Sequence, residues 1–200
     1  MAPVKMVLFA VLFVNYAAFY WAILKFFTRP EGKVVLPMKL ISIFGMISVF
    51  SHLTLIALTP EVPVGRGSVS LALVTVSGAL FFWAIRSNNR RRLSLAYSKD
   101  QPVHLNQDGP YRFVRHPFYL SYLLTWSGGA LACQHWFAWA LAATMGVLYW
   151  RAARAEERKF SQSALATAYA EYRKHAGLFW PKPSFGRSAR DTTPSDRRAA

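Results

Sequence analysis

Five stretches of the chain carry almost no charge: Val4 to Phe27, Leu40 to Leu58, Val69 to Ile85, Phe118 to Leu131 and Trp136 to Trp150. The first three approach or exceed the roughly 17–20 apolar residues needed to cross a bilayer as a helix. Lys5, Asn15 and Lys25 interrupt the first, and the two lysines lie near its ends, where a long basic side chain reaches the interface. The stretch is too long for the apolar core of a cleaved signal peptide and has no small-residue cleavage site, so it is read as a retained span. The last two are short and hinged at Ala132-Cys133-Gln134-His135, which predicts a packed helical hairpin rather than two independent spans. Gly128 and Gly129 would let helices approach closely there.

Between the stretches the pattern turns polar. Arg29-Pro30-Glu31-Gly32-Lys33 reads as a turn, and Thr59 to Gly67 as a short loop. Arg86 to Arg115 holds seven basic residues against Asp100 and Asp108. From Arg151 to His175 the residues follow an amphipathic, charged helical pattern, and Ser184 to Ala200 has the composition of a disordered tail. The expected fold is therefore all-α and polytopic, with about five transmembrane helices, the last two a hairpin, and a C-terminal amphipathic helix. Three units follow: spans at 1–85, a core at 86–183 and a tail at 184–200.

A net charge of +15 beside a hydrophobic fraction of 54% changes the picture in one respect. Such a basic chain can suggest nucleic acid, but these basic residues flank apolar spans, where they orient a membrane protein and meet anionic lipid. No nucleic-acid partner is expected. The most basic loop follows the third span and so should be cytoplasmic. That sets the N-terminus outside and the C-terminus inside. A single cysteine, Cys133, excludes an internal disulfide and a multi-cysteine metal site.

The candidate chemistry is concentrated in Gly109-Pro110-Tyr111-Arg112-Phe113-Val114-Arg115-His116-Pro117-Phe118-Tyr119. Pro117 suits the first turn of a helix and biases His116 to extended backbone, so His116 falls at the N-cap. A helix start favours an anion, and the Arg115 fork suits a carboxylate. Tyr111, Phe118 and Tyr119 offer rings for stacking and cation–π contact. Further along, Tyr149, Ala153, Glu156 and Phe160 fall on one helical stripe, which puts Glu156 on a mostly apolar face. Glu157 projects elsewhere, beside Arg154. Taken alone, the Glu-Glu pair would be a solvated helix face, and a lone Arg-His-Pro an interfacial anchor. His52, Asn15 and Ser51 mark either a polar path or helix-to-helix hydrogen bonds. Trp136, Phe137, Trp139, Tyr149 and Trp150 read as an interfacial belt.

These motifs resemble those of the isoprenylcysteine carboxyl methyltransferase and phospholipid methyltransferase group. Gly109 to Arg112, then Arg115-His116-Pro117 and Tyr119, are similar to its cofactor motif; Glu156-Glu157-Arg158 with Tyr169-Ala170-Glu171-Tyr172 is similar to its C-terminal acidic signature. The likeness covers about Val103 to Pro181. It implies an integral membrane enzyme using S-adenosylmethionine. Cofactor-binding residues would be His104, Leu105, Tyr111, Arg115, His116, Pro117, Phe118, Tyr119, Glu156 and Glu157, and catalytic residues Arg154 and Glu156. His104 stands one place from the group's histidine. Ala152 stands where the group places a substrate-side arginine, with Arg154 and then Arg151 nearest. No Gly-rich strand-to-helix turn is present, so a Rossmann methyltransferase is excluded.

The implied acceptor is lipophilic and reaches the site from the bilayer, with membrane lipids as neighbours. A carboxylate head is favoured, because it is already anionic at neutral pH and needs only a cation to orient it. An isoprenylcysteine-like substrate fits that description. A phospholipid amine or small thiol is the alternative within the group, and a non-catalytic scaffold or transporter-like protein the alternative outside it. The implied location is an inner membrane if the source is bacterial and the endoplasmic reticulum if it is eukaryotic, with the site on the cytoplasmic face.

Overall fold

The computed structural model describes residues 3–28, 35–88, 93–94, 97 and 102–182, and these are overwhelmingly helical. Six helices follow in order: α1 (Pro3–Lys25), α2 (Leu36–Leu58), α3 (Val64–Ser87), α4 (Pro117–Cys133), α5 (Trp136–Ser161) and α6 (Ala166–His175). The strand structure is a two-residue parallel pairing of β1 (Phe27–Thr28) with β2 (Leu93–Ser94). α1, α2 and α3 are each long and apolar enough to cross a membrane. The expected tail at 184–200 and most of the basic segment between Arg86 and Asp100 lie outside the described residues.

Two of the long helices begin earlier than their apolar runs. Pro37 sits in the first turn of α2 and Pro63 is the N-cap of α3, so the expected loop from Thr59 to Gly67 is confined to Thr59–Pro63 and the chain is helical from Val64 onward. Proline serves there because the first N–H groups of a helix lack partners in any case.

α3 and α4 pack most extensively, with α1 against α3 and α2 against α5 completing the bundle. Polar residues stitch these contacts. Asn15 Nδ2 donates to Val74 O at 2.7 Å, Ser70 Oγ to Gly128 O at 2.6 Å, and Lys5 Nζ to Ala57 O at 2.8 Å. Without water, each such bond satisfies a carbonyl or amide that would otherwise cost free energy. Asn15 and His52 thus make helix-to-helix hydrogen bonds. Gly128 and Gly129 do allow close approach, but of other helices than expected. A Cβ on Gly128 would lie 2.7 Å from Val74 of α3, and one on Gly129 2.3 Å from the His52 ring of α2.

α4 ends at Gln134, whose left-handed backbone (φ 54°) turns the chain within two residues into α5. His135 Nδ1 accepts from Phe137 N and caps the new helix. α5 runs without interruption from the aromatic Trp136 end into the charged segment. It stops at Gln162, and α6 folds back so that Tyr169 and Tyr172 are buried. The expected single helix from Arg151 to His175 is therefore two.

Candidate functional site

The eleven-residue motif forms a tight corner. Gly109 takes φ 56°, a backbone conformation that costs glycine little, and opens a 3-10 turn over Gly109–Arg112. His116 is the N-cap of α4 and Pro117 its first residue, as expected, but the His116 backbone (φ −126°, ψ 66°) is neither helical nor fully extended. The corner is then clasped from outside. Arg115 N donates to Gly177 O at 2.7 Å, His116 N to Leu178 O at 3.2 Å, and Gly177 N to Phe113 O at 3.0 Å. Tyr172 adds a bond from its hydroxyl to Tyr111 O at 2.6 Å. A segment sixty residues downstream thus fixes the motif's backbone.

Behind the corner lies a cavity of about 970 Å³. Of the expected cofactor residues, His104, Leu105, Tyr111, Arg115, His116, Pro117, Phe118, Tyr119 and Glu156 all line it. Tyr149, Glu156 and Phe160 line it together, in agreement with the stripe read along α5. Tyr149 consequently leaves the interfacial belt, whose other members Trp136, Phe137, Trp139 and Trp150 stay exposed.

Three groups meet at the cavity's polar end. His116 Nδ1 lies 3.5 Å from Glu156 Oε2, and the Tyr119 hydroxyl donates to Glu156 Oε1. His116 stacks on Tyr119 at 5.5 Å, and Tyr119 on Tyr149 at 5.2 Å. His116 Nε2 is buried without a hydrogen-bond partner among the described residues. A buried imidazole nitrogen left unpaired in a cavity is a position made for a ligand's polar atom.

Two expectations are corrected here. Arg115 does not offer its fork to the cavity. Its Nε and Nη2 contact Glu157 Oε1 at 2.8 and 2.6 Å, and its Nη1 donates to Ala176 O. Glu157, expected among the cofactor-binding residues, does not line the cavity; only 5% of its side chain is exposed and it also accepts from Tyr169 at 3.1 Å. Burial alone would raise its carboxyl, but the Arg115 hydrogen bond and charge, with Tyr169 and His116, outweigh that and hold it below the ordinary value. Burial, then the Glu157 charge, keeps Tyr169 neutral. Arg154 pairs with Glu157 at 3.2 Å, is 47% exposed and does not line the cavity. The burial of Arg115 and Glu157 has one cause. α6 folds back over α5, a long-range contact that helix periodicity does not report.

Other lining residues carried no motif. Asn88 donates to the Tyr111 hydroxyl at 3.0 Å, and Asn106 to Asn88 Oδ1 at 3.0 Å, which ties the α3 end to the segment around Leu105. Tyr16, Tyr122 and Trp126 line the cavity farther from the motif. In sequence they are only aromatic residues within spans. Tyr20 and Ile23 of α1 and Met46 and Phe50 of α2 line it too, yet remain exposed on the outer surface of the bundle. The cavity is thus polar at the motif and open sideways between α1 and α2.

Residues 66–168 match the sequence model of the family described as phospholipid methyltransferase. No curated protein matches the chain significantly.

Proposed function

The chain belongs to the phospholipid methyltransferase family and, with three long apolar helices, is a membrane protein; from that premise we propose that it transfers a methyl group from S-adenosylmethionine to a lipophilic acceptor entering from the bilayer. The observation that carries the proposal is the cavity: one space joins the His116–Glu156–Tyr119 cluster to a lateral opening between α1 and α2. At about 970 Å³ it reaches the upper range for one small ligand, as a site for both a donor and an acceptor head requires.

The residues fit the cofactor. The unpaired His116 Nε2 and the start of α4 suit its carboxylate, and Glu156 suits its ammonium or ribose. Tyr111, Tyr119 and Phe118 supply ring faces, and the segment at His104 and Leu105 closes that side. Arg115 and Glu157 act behind this shell, holding α6 and the Ala176–Leu178 segment on the motif. When bound, S-adenosylmethionine supplies a methyl group on a sulfonium, which calls for alignment and exclusion of water rather than covalent help. The aromatic walls provide both.

The orientation follows from charge, with the motif and α6 on the cytoplasmic side. The 17 residues of α4 and the apolar part of α5 form a fourth and a fifth span as a hairpin. The catalytic unit runs from residue 86 to 183, and α1 and α2 supply its acceptor side.

Two acceptor heads remain in play. An isoprenylcysteine-like carboxylate is already anionic and needs only a cation to orient it; with Arg154 off the cavity, Lys159, which lines it, takes that role. A phospholipid amine is supported by the family's description, and Glu156 or His116 would take its proton. The test is transfer of labelled methyl by the reconstituted protein into prenylcysteine analogues, phospholipids and small thiols. Base-labile label in the prenylcysteine fraction supports the carboxylate, and base-stable label in phospholipid supports the amine. Label only in the thiol would overturn the lipophilic acceptor, and label in none would overturn the reaction.

A further inference from the structure

The far end of the cavity contains polar groups that methyl transfer does not use. Tyr16 lines the cavity, and its ring stacks on Trp126 at 5.3 Å. Its hydroxyl lies 2.7 Å from His52 Nδ1. His52 has no exposed surface, and its Nε2 has no partner among the described residues. Tyr122 also lines the cavity. An ionisable side chain at this depth in a membrane bundle is expensive and usually marks a ligand path.

A purely structural role explains part of this, since the Tyr16–His52 bond ties α1 to α2. It does not explain which atom carries the proton. Neutral imidazole has one donor and one acceptor. If Nε2 held the hydrogen, a buried N–H would be orphaned, which is the rarer and costlier case. The proton therefore sits on Nδ1 and is donated to the Tyr16 oxygen, an assignment made by hydrogen-bond accounting. Nε2 then stays an unpaired acceptor, the cheaper case, and the unpaired donor becomes the Tyr16 O–H, at a residue lining the cavity where water or a ligand can reach it.

We propose that Tyr16, set by His52, is a specificity-determining residue that donates a hydrogen bond to an oxygen in the body of the acceptor. Its distance from the reacting end follows from the helices. Tyr119 and Trp126 are seven residues apart on α4, as are Tyr149 and Glu156 on α5. Tyr16, stacked on Trp126, therefore lies beside a point of the α4 backbone about 10 Å from Tyr119, at 1.5 Å of rise per residue. The acceptor class is a lipid with a carbonyl, ester or ether oxygen at that distance from its methylated head, in preference to one whose tail is unbroken hydrocarbon. A site built to hydrogen-bond an oxygen discriminates against the analogue lacking it, because its own donor is then left unpaired. The inference rests on the lipophilic-acceptor reading above but uses a part of the cavity that reading does not require.

The test uses the full chain in nanodiscs and two matched probe pairs: a long-chain fatty amine and a long-chain fatty acid, each with its analogue bearing one mid-chain ketone. Equilibrium binding is measured for wild type and Tyr16→Phe, which keeps the ring and removes only the donor. Wild type should bind the ketone of at least one pair about tenfold more tightly, as one hydrogen bond in an apolar site implies, and Tyr16→Phe should abolish that preference. Equal wild-type binding of ketone and plain probe in both pairs, or full discrimination in Tyr16→Phe, overturns the proposal. S-adenosylmethionine binding on the same preparation is read separately. Its loss with ketone preference intact would sink the methyltransferase reading alone.

Discussion

At the residue scale the two adjacent glutamates have different jobs. Glu156 faces the cavity with Tyr119 and His116, whereas Glu157 is the buried partner of Arg115. Neutralising Glu157 leaves a buried guanidinium without its counter-charge, a loss of roughly 3–5 kcal/mol. Glu157→Gln should therefore lower the melting temperature sharply, while Glu156→Gln should leave it nearly unchanged and cut methyl transfer. Comparing melting curves with turnover for both variants checks this, and equal melting losses would refute the division. The pH dependence has a defined sign. Because the folded carboxyl of Glu157 is held below its unfolded value, its contribution is present above about pH 4.3 and is lost as pH falls through the lower folded value. Wild type should lose stability in that acid window more steeply than Glu157→Gln.

At the element scale the clasp between Phe113–His116 and Gly177–Leu178 is what holds the motif in place. Gly177 is needed there for space, since a Cβ would lie 1.7 Å from the Trp180 carbonyl oxygen. Gly177→Ala should speed hydrogen exchange at the Arg115 and His116 amides and weaken cofactor binding. Gly146→Ala is the control. Its Cβ would meet only Leu123 at 3.7 Å, so it should be neutral or stabilise α5 by roughly 0.5–1 kcal/mol. Unchanged exchange in Gly177→Ala would contradict the clasp. The clasp also shows where sequence reading stops. The corner from Gly109 to Pro117 was legible because Gly, Pro and the N-cap act locally, and the Tyr149–Glu156–Phe160 stripe because helical period is local too. Burial of Glu157 and Arg115 depends on α6 returning over α5, whereas Arg154 misses the cavity by helix phase, since it shares the Glu157 side of α5. No spacing within either helix encodes that return. The break at Gln162 was likewise hidden, because the amphipathic period runs straight through it.

At the scale of the whole molecule, the spans were legible as apolar runs, though Pro37 and Pro63 start α2 and α3 earlier than those runs suggest. Which helices leave a gap was not legible, because Tyr20, Ile23, Met46 and Phe50 have the same apolar character as residues packed inside. Orientation rests on charge and can be checked at described positions. In a Cys133→Ser background, Arg173→Cys should react with an impermeant thiol reagent only from the cytoplasmic side and Glu61→Cys only from the other. Labelling of both from one side would break the topology.

The central claim is that the cluster at the head of α4 holds S-adenosylmethionine, and calorimetric titration of the purified protein tests it most directly. Wild type should bind, with His116→Ala and Glu156→Gln each weaker by roughly 1.5–3 kcal/mol, the range for a hydrogen bond to a charged group. That is a loss of roughly 10- to 100-fold in affinity. A wild-type protein that takes up no cofactor, or variants that bind it as tightly as wild type, would contradict the account.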